Sequence, residues 1–304
     1  MTRDDVVGTA AALTGLLAVG SSLAVLDVLS DYPAAGGQAV RYAIGAALLA
    51  LLLRGRLPRV STRQLGRLAL LAATGLAGFN LLVIAAERSM DPASVGVVVA
   101  AVPVVLAIAA PLQERRRVQL RVILAAVVVA LGAATVQGIG GQVTATGLAA
   151  ALGALLGEAA FSLVAAPLLP ALGATGVSAW CTALAVPQLL LYGAVVDGPA
   201  GMLEVPSLDE ALVLGYLGAV VTAGCFVLWY TGVRLIGVER AGLLTGAMPA
   251  GAMLTGAALG LSDLSPGRLA GVLAVACGIA LGMRAASPAR RAVRSRSARP
   301  ARAT

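Results

Sequence analysis

The sequence predicts an all-α membrane protein of ten transmembrane helices, arranged as two inverted five-helix repeats. Three observations lead there. First, 59% of the 304 residues are hydrophobic and only 12% are charged, against roughly 25% charged in a soluble domain, and the mean hydropathy is +0.94. One globular core cannot bury that much apolar surface, so lipid must solvate most of the chain. Second, the apolar residues fall into runs close to the ~20 residues that cross a bilayer. Third, the basic residues crowd into alternate gaps between those runs.

Split at charges and Gly/Pro turns, the runs are 6–30, 38–53, 68–86, 93–112, 118–138, 147–167, 175–196, 211–232, 241–261 and 267–285. The first is expected to be a retained span rather than a secretory leader. Arg3 is offset by Asp4 and Asp5, and the run exceeds the ~7–15 residues of a leader's apolar region. The domain division is 1–140 for the first five-span repeat, 141–285 for the second, and 286–304 for a tail. That tail is rich in Arg, Ser and Pro, so disorder is expected.

All 22 basic residues are Arg, with no Lys and no His. With the abundance of Ala and Gly, this suggests a GC-rich genome. It also removes a P-loop lysine, a Schiff-base lysine, His triads and His-based metal sites, so no cofactor or metal is expected and the chain itself carries no ATP-driven motor. Cys181, Cys225 and Cys277 lie far apart in apolar runs and read as small packing residues.

With both termini inside, the cytoplasmic segments hold 19 of the 22 arginines, leaving Arg41, Arg88 and Arg268 for the other side. That bias sets the orientation as N-in, C-in. The basic tail is expected to attract anionic lipid. It lacks the aromatic interleaving and motifs of a nucleic-acid binder.

The two halves also resemble each other. An offset of 146 aligns Arg88 with Arg234, Pro103 with Pro249 and Gly132 with Gly278; an offset of 137 aligns Gly20 with Gly157 and Pro33 with Pro170. Five spans is an odd number, so the second half enters the membrane inverted. Inverted repeats with paired Pro-interrupted spans are the pattern of secondary transporters, with the substrate site near the midplane.

These features carry a resemblance to the EamA-type family of the drug/metabolite transporter superfamily, over residues 8–285. In the first half it rests on "RYAIGAALLALLL" (41–53) and on 85–134, with Pro103, Glu114 and Gly132. In the second it rests on 231–283, with Pro249, Asp263, Gly271 and Gly278. Departures are Val19-Gly20-Ser21 and Gly157-Glu158 where relatives often carry Trp, Arg121 where Gly is common, and Asp263 for the usual Glu. The resemblance implies a multi-pass protein of a bacterial plasma membrane that exports amino acids, other metabolites or drugs, driven by a proton gradient.

The polar residues at membrane depth are the site candidates. Glu158 stands alone near the centre of the sixth run. An acid there costs about 2.5–3.5 kcal/mol and ordinarily faces a bundle interior or cavity. It is the candidate for proton exchange or for holding a substrate cation; the alternative is a neutral carboxyl bonding a neighbouring helix. Asn80 and Gln188 read as interhelical hydrogen bonders or substrate contacts. Ser22, with Ser21, lines a cavity or packs closely beside Gly20. Pro103 and Pro249 are expected to kink their helices and free carbonyls for a gate. Asp27 and Arg41 fall near the external ends of spans one and two, where Arg41 either snorkels or pairs with Asp27 as a gate. Trp229 and Tyr230 read as an interfacial belt, and Glu114 as a partner to Arg115–Arg117.

A secondary transporter of a small molecule is the leading expectation. An intramembrane enzyme would need a second deep acid, a Ser–His pair or a metal cluster, and the residues supply none. The other reading on the same fold is a flippase component for a lipid or lipid-linked substrate.

Overall fold

The computed structural model describes residues 2–138, 141–260 and 265–286, and every regular element among them is helical. Asp263 and residues 287–304, most of the expected tail, lie outside the described residues.

Among the described residues, nine helices are long and apolar enough to cross a membrane: α1 Arg3–Ser22, α2 Ala34–Leu52, α3 Thr62–Glu87, α4 Pro92–Gln113, α5 Leu120–Gln137, α6 Ala145–Leu163, α7 Leu169–Val196, α8 Leu208–Ile236 and α10 Pro266–Ala285. Only 22–39% of each apolar stretch is buried in the protein. Leu51, Leu131, Leu191 and Leu273 point outward, as expected where lipid replaces water. Helix α9, 238–258, is interrupted. It runs as Val238–Leu244, a 3₁₀ turn at Thr245–Ala247, and Met248–Ala258.

Short polar side chains start several of these helices by accepting first-turn N–H groups. Ser61 and Ser207 form capping boxes with Gln64 and Glu210 at the starts of α3 and α8. Thr144 caps α6, Ser265 caps α10, and Asp91 caps α4 with Pro92 in the first turn. The long helix α7 bends at Gly173, whose φ of 68° and ψ of 170° suit a residue without Cβ; the part that follows coincides with the expected 175–196.

Helix α2 differs from expectation. It begins at Ala34, four residues before the expected 38, and takes in Gly36 and Gly37. Glycine disfavours a helix interior, but here it is required by packing. A Cβ on Gly36 would meet the Met202 carbonyl, and one on Gly37 the Tyr32 ring.

Packing interleaves the halves. Helix α5 lies along α10, α1 against α8 and α9, α2 against α7 and α8, and α6 against α3 and α4. Small residues allow the close approaches. A Cβ on Gly132 would lie 2.8 Å from the Gly271 carbonyl oxygen, and one on Gly278 3.0 Å from that of Ala125.

Two helices change pitch in mid-course. Ala72–Gly78 in α3 and Leu217–Gly224 in α8 are π-helical, a widened turn that often marks functional sites. Helices α4 and α9 are instead broken, at Ala100–Ala101 and at Thr245–Ala247, each just before its proline.

Candidate functional site

The polar residues that face the interior gather around an aromatic row. Phe161 on α6 packs against Phe226 and Tyr230 on α8, with ring centroids 4.9 and 4.8 Å apart, and Phe226 lies 6.4 Å from Tyr42 on α2. Tyr42 and Tyr230 are fully buried, and their hydroxyls are engaged. The Asn80 amide donates to the Tyr42 hydroxyl at 2.8 Å and also to the Leu76 carbonyl. The Tyr230 hydroxyl donates to the Phe161 carbonyl at 3.2 Å.

Glu158 sits one turn before Phe161 on α6. Its Oε2 is buried with no hydrogen-bond partner. The helix ends at Leu163, so Glu158 lies about 7.5 Å from that end at 1.5 Å per residue, closer to the arginine-rich face than the expected midpoint. Leu152 and Leu156 on the same helix face outward, while Leu155, Gly157 and Ala159 are buried. Gly157 lets α6 approach the π-helical turn of α3, where a Cβ would lie 2.7 Å from the Thr74 carbonyl oxygen.

Arg41 is neither a snorkelling residue nor the partner of Asp27. The earlier start of α2 makes it the eighth residue of that helix, about 10 Å in from the end. Its Nε donates to the Thr222 hydroxyl at 2.9 Å, in the π-helical turn of α8, and a terminal nitrogen donates to Gln38 at 3.3 Å. Its guanidinium carbon is 5.3 Å from the Tyr42 ring centre. Asp27 is exposed in the turn after α1.

The other expected residues lie apart from this cluster. Gln188 donates to the Ala69 carbonyl at 3.2 Å, tying α7 to α3, while its Oε1 is buried without a partner. The Ala69 oxygen also keeps the Ala72 N–H. Gln188→Met is therefore expected to change stability by less than about 1 kcal/mol, read as a small shift in thermal unfolding. Ser22 is buried and bonds its own helix at the Val19 carbonyl, whereas Ser21 reaches the Tyr216 hydroxyl at 3.0 Å. Pro103 and Pro249 occupy the first turn of the second helical piece of α4 and α9. There the missing N–H costs nothing, so each proline restarts a helix after a break and does not bend a continuous one.

Two further expectations need correction. Trp229 and Tyr230 are buried and form no interfacial belt, and Tyr230 joins the aromatic row. Cys181 and Cys225 are buried as expected, but Cys277 is exposed on α10. Thr222, Phe161 and Phe226 were not singled out from the sequence. A threonine and two phenylalanines inside apolar runs carry no signal there until the π-helical turn and the helix crossings bring them together.

Two cavities open at opposite ends of the bundle. One, of about 210 Å³, is lined by Asp31, Tyr32, Arg88, Tyr192 and Asp197. The other, of about 270 Å³ on the arginine-rich face, is lined by Gln113, Glu114, Pro167 and Val238. Beside the second, Arg116 bridges Glu114 at 2.7 Å, as the sequence suggested, and also Glu239 at 3.0 Å. Arg240 pairs with Asp5 at 3.0 Å and donates to the carbonyls of Met283 and Ala286, fastening α9 to the ends of α1 and α10.

A bundle of long apolar helices, with pitch changes and unpaired charges inside, defines a multi-pass membrane protein. Within its first half, residues 6–137 match the EamA-like transporter family. No curated protein matches the chain. A solved structure described only as "Crystal structure of protein" is similar over 90% of this chain and 96% of its own, with a TM-score of 0.75 and 20% identity. That likeness shows a shared fold.

Proposed function

We propose that this protein is a secondary active transporter that exports a small metabolite, amino-acid-like compound or drug across a bacterial plasma membrane by alternating access. In this reading it is not an enzyme. It crosses the membrane ten times with both termini cytoplasmic, α9 being the tenth crossing despite its break. Glu158 is the coupling site that takes up and releases a proton.

The observation that carries the reading is the Glu158 carboxylate oxygen, buried and unbonded inside a bundle whose first half matches a transporter family. A charged carboxylate without a partner in that setting is costly, so a proton or a substrate cation has a place to act. The two cavities lie at opposite ends of the bundle, where a path to either face would open.

Inverted repeats are supported by matched irregularities. The offset of 146 carries the π-helical turn 72–78 onto 218–224, within one residue of the one in α8, and carries the break before Pro103 onto the break before Pro249. It also carries the Gly132–Gly271 contact onto Gly278–Ala125 with the partners exchanged, as a two-fold axis would.

The test is proton movement in vesicles loaded with a pH-sensitive dye, driven by adding the pool of exported metabolites. Wild type is expected to acidify or alkalinise the lumen, and Glu158→Gln to move protons at least about tenfold more slowly. Equal flux from both proteins removes Glu158 from the coupling step.

A further inference from the structure

Arg41 is a cation placed where a membrane protein avoids one. Charged side chains within transmembrane segments are rare and expensive, and they ordinarily pair or serve a pathway. Among the described residues no carboxylate lies within ion-pair distance of Arg41. A guanidinium presents five N–H donors in a planar fork. Here Nε is used on Thr222 and a terminal nitrogen reaches Gln38 at the long distance of 3.3 Å. Both partners are neutral, so the positive charge stays unmatched.

The surroundings favour capture of an anion. The Thr222 hydroxyl, fully buried in the widened π-helical turn of α8, fixes the Nε edge and so orients the rest of the fork. Gln38 lies one helical turn before Arg41 on α2. The Tyr42 ring stands beside the guanidinium and leads into the aromatic row. Glu158 does not neutralise Arg41: its Oε2 has no partner, and Phe161, Phe226 and Tyr42 stand in sequence between the two.

We propose that Arg41 is a substrate-binding residue that holds an oxyanion, a carboxylate or a phosphate, and that the transported substrate is therefore an organic acid or other oxyanion-bearing metabolite. This rests on the transporter reading for what happens after binding, though the binding itself can be read alone. Arginine's fork matches both oxyanions bidentately, whereas a neutral substrate would leave the charge uncompensated.

The experiment uses the full chain in nanodiscs of phosphatidylethanolamine and phosphatidylglycerol. Thermal unfolding is followed while sodium pyruvate, glutarate or phosphate is titrated against sodium chloride of equal ionic strength. At least one oxyanion is expected to raise the wild-type midpoint saturably. Arg41→Gln is expected to weaken that binding at least about tenfold, Arg41→Lys to recover part of it, and Thr222→Val to weaken it by less than Arg41→Gln does, because the guanidinium stays and only its orienting bond is lost. The proposal is overturned if no oxyanion gives a saturable shift, if Arg41→Gln responds like wild type, or if Thr222→Val loses as much as Arg41→Gln, which would make Arg41 a brace for α8. Export of a neutral or purely cationic compound would sink the oxyanion site and leave transport standing. Arg41-dependent binding with no compound moved would do the reverse.

Discussion

Gly20→Val is expected to destabilise the protein by about 3 kcal/mol, the upper end of what overpacking costs, and to lower the yield of folded protein. The reason is backbone against backbone. A Cβ on Gly20 would collide with the Met248 carbonyl oxygen and lie 3.0 Å from the Ala252 nitrogen on α9. From the other side, a Cβ on Gly251 would run into the Leu17 carbonyl. No flexible side chain is available to yield, so α1 and α9 must separate. Thermal unfolding in detergent measures the loss. Gly66→Ala is the control, since a Cβ there meets nothing within 4 Å. A Gly20→Val protein as stable as that control would mean α1 and α9 do not cross at these glycines.

Arg116→Ala is the second large effect, expected to cost about 3 kcal/mol, the lower end of the range for removing one partner of a buried pair. Glu239 is only 5% exposed, and its Oε1 already lacks a partner. Losing Arg116 leaves that carboxylate with the N-terminal end of α9 as its remaining support. The lower end applies because Arg116 retains 28% exposure. The double variant Arg116→Ala/Glu239→Leu is expected to regain stability over Arg116→Ala alone, since the stranded charge is gone. Additive losses in that cycle would show that the two side chains do not interact energetically.

What the sequence discloses depends on whether a feature is periodic or local. Long apolar runs and an arginine bias persist over many residues, so the helical class and most span limits are legible, as for α5 and α10. Helix α2 is misplaced by four residues because "AAGGQ" carries turn composition. The glycines are there for contact with Met202 and Tyr32, partners that only the fold supplies. That one slip put Arg41 at a helix end, where snorkelling looked ordinary, when it lies near the middle. The π-helical turns were invisible for a related reason: "AATGLAG" and "LGAVVTAG" read as standard small-residue helix. In the fold α6 packs on one and α2 on the other, neighbours that the local sequence does not disclose. Glu158 was the one deep acid visible from the start, since a lone acid in an apolar run needs no fold to be conspicuous.

The central claim is that this chain moves a small molecule and that Glu158 takes part. It is tested most directly by an unbiased comparison of extracellular metabolites from cells making wild type, Glu158→Gln or neither. The account predicts at least one compound that accumulates outside only with wild type. A compound exported equally by Glu158→Gln would contradict the role of Glu158. No difference among the three would contradict metabolite export itself and favour movement of lipid or lipid-linked substrates.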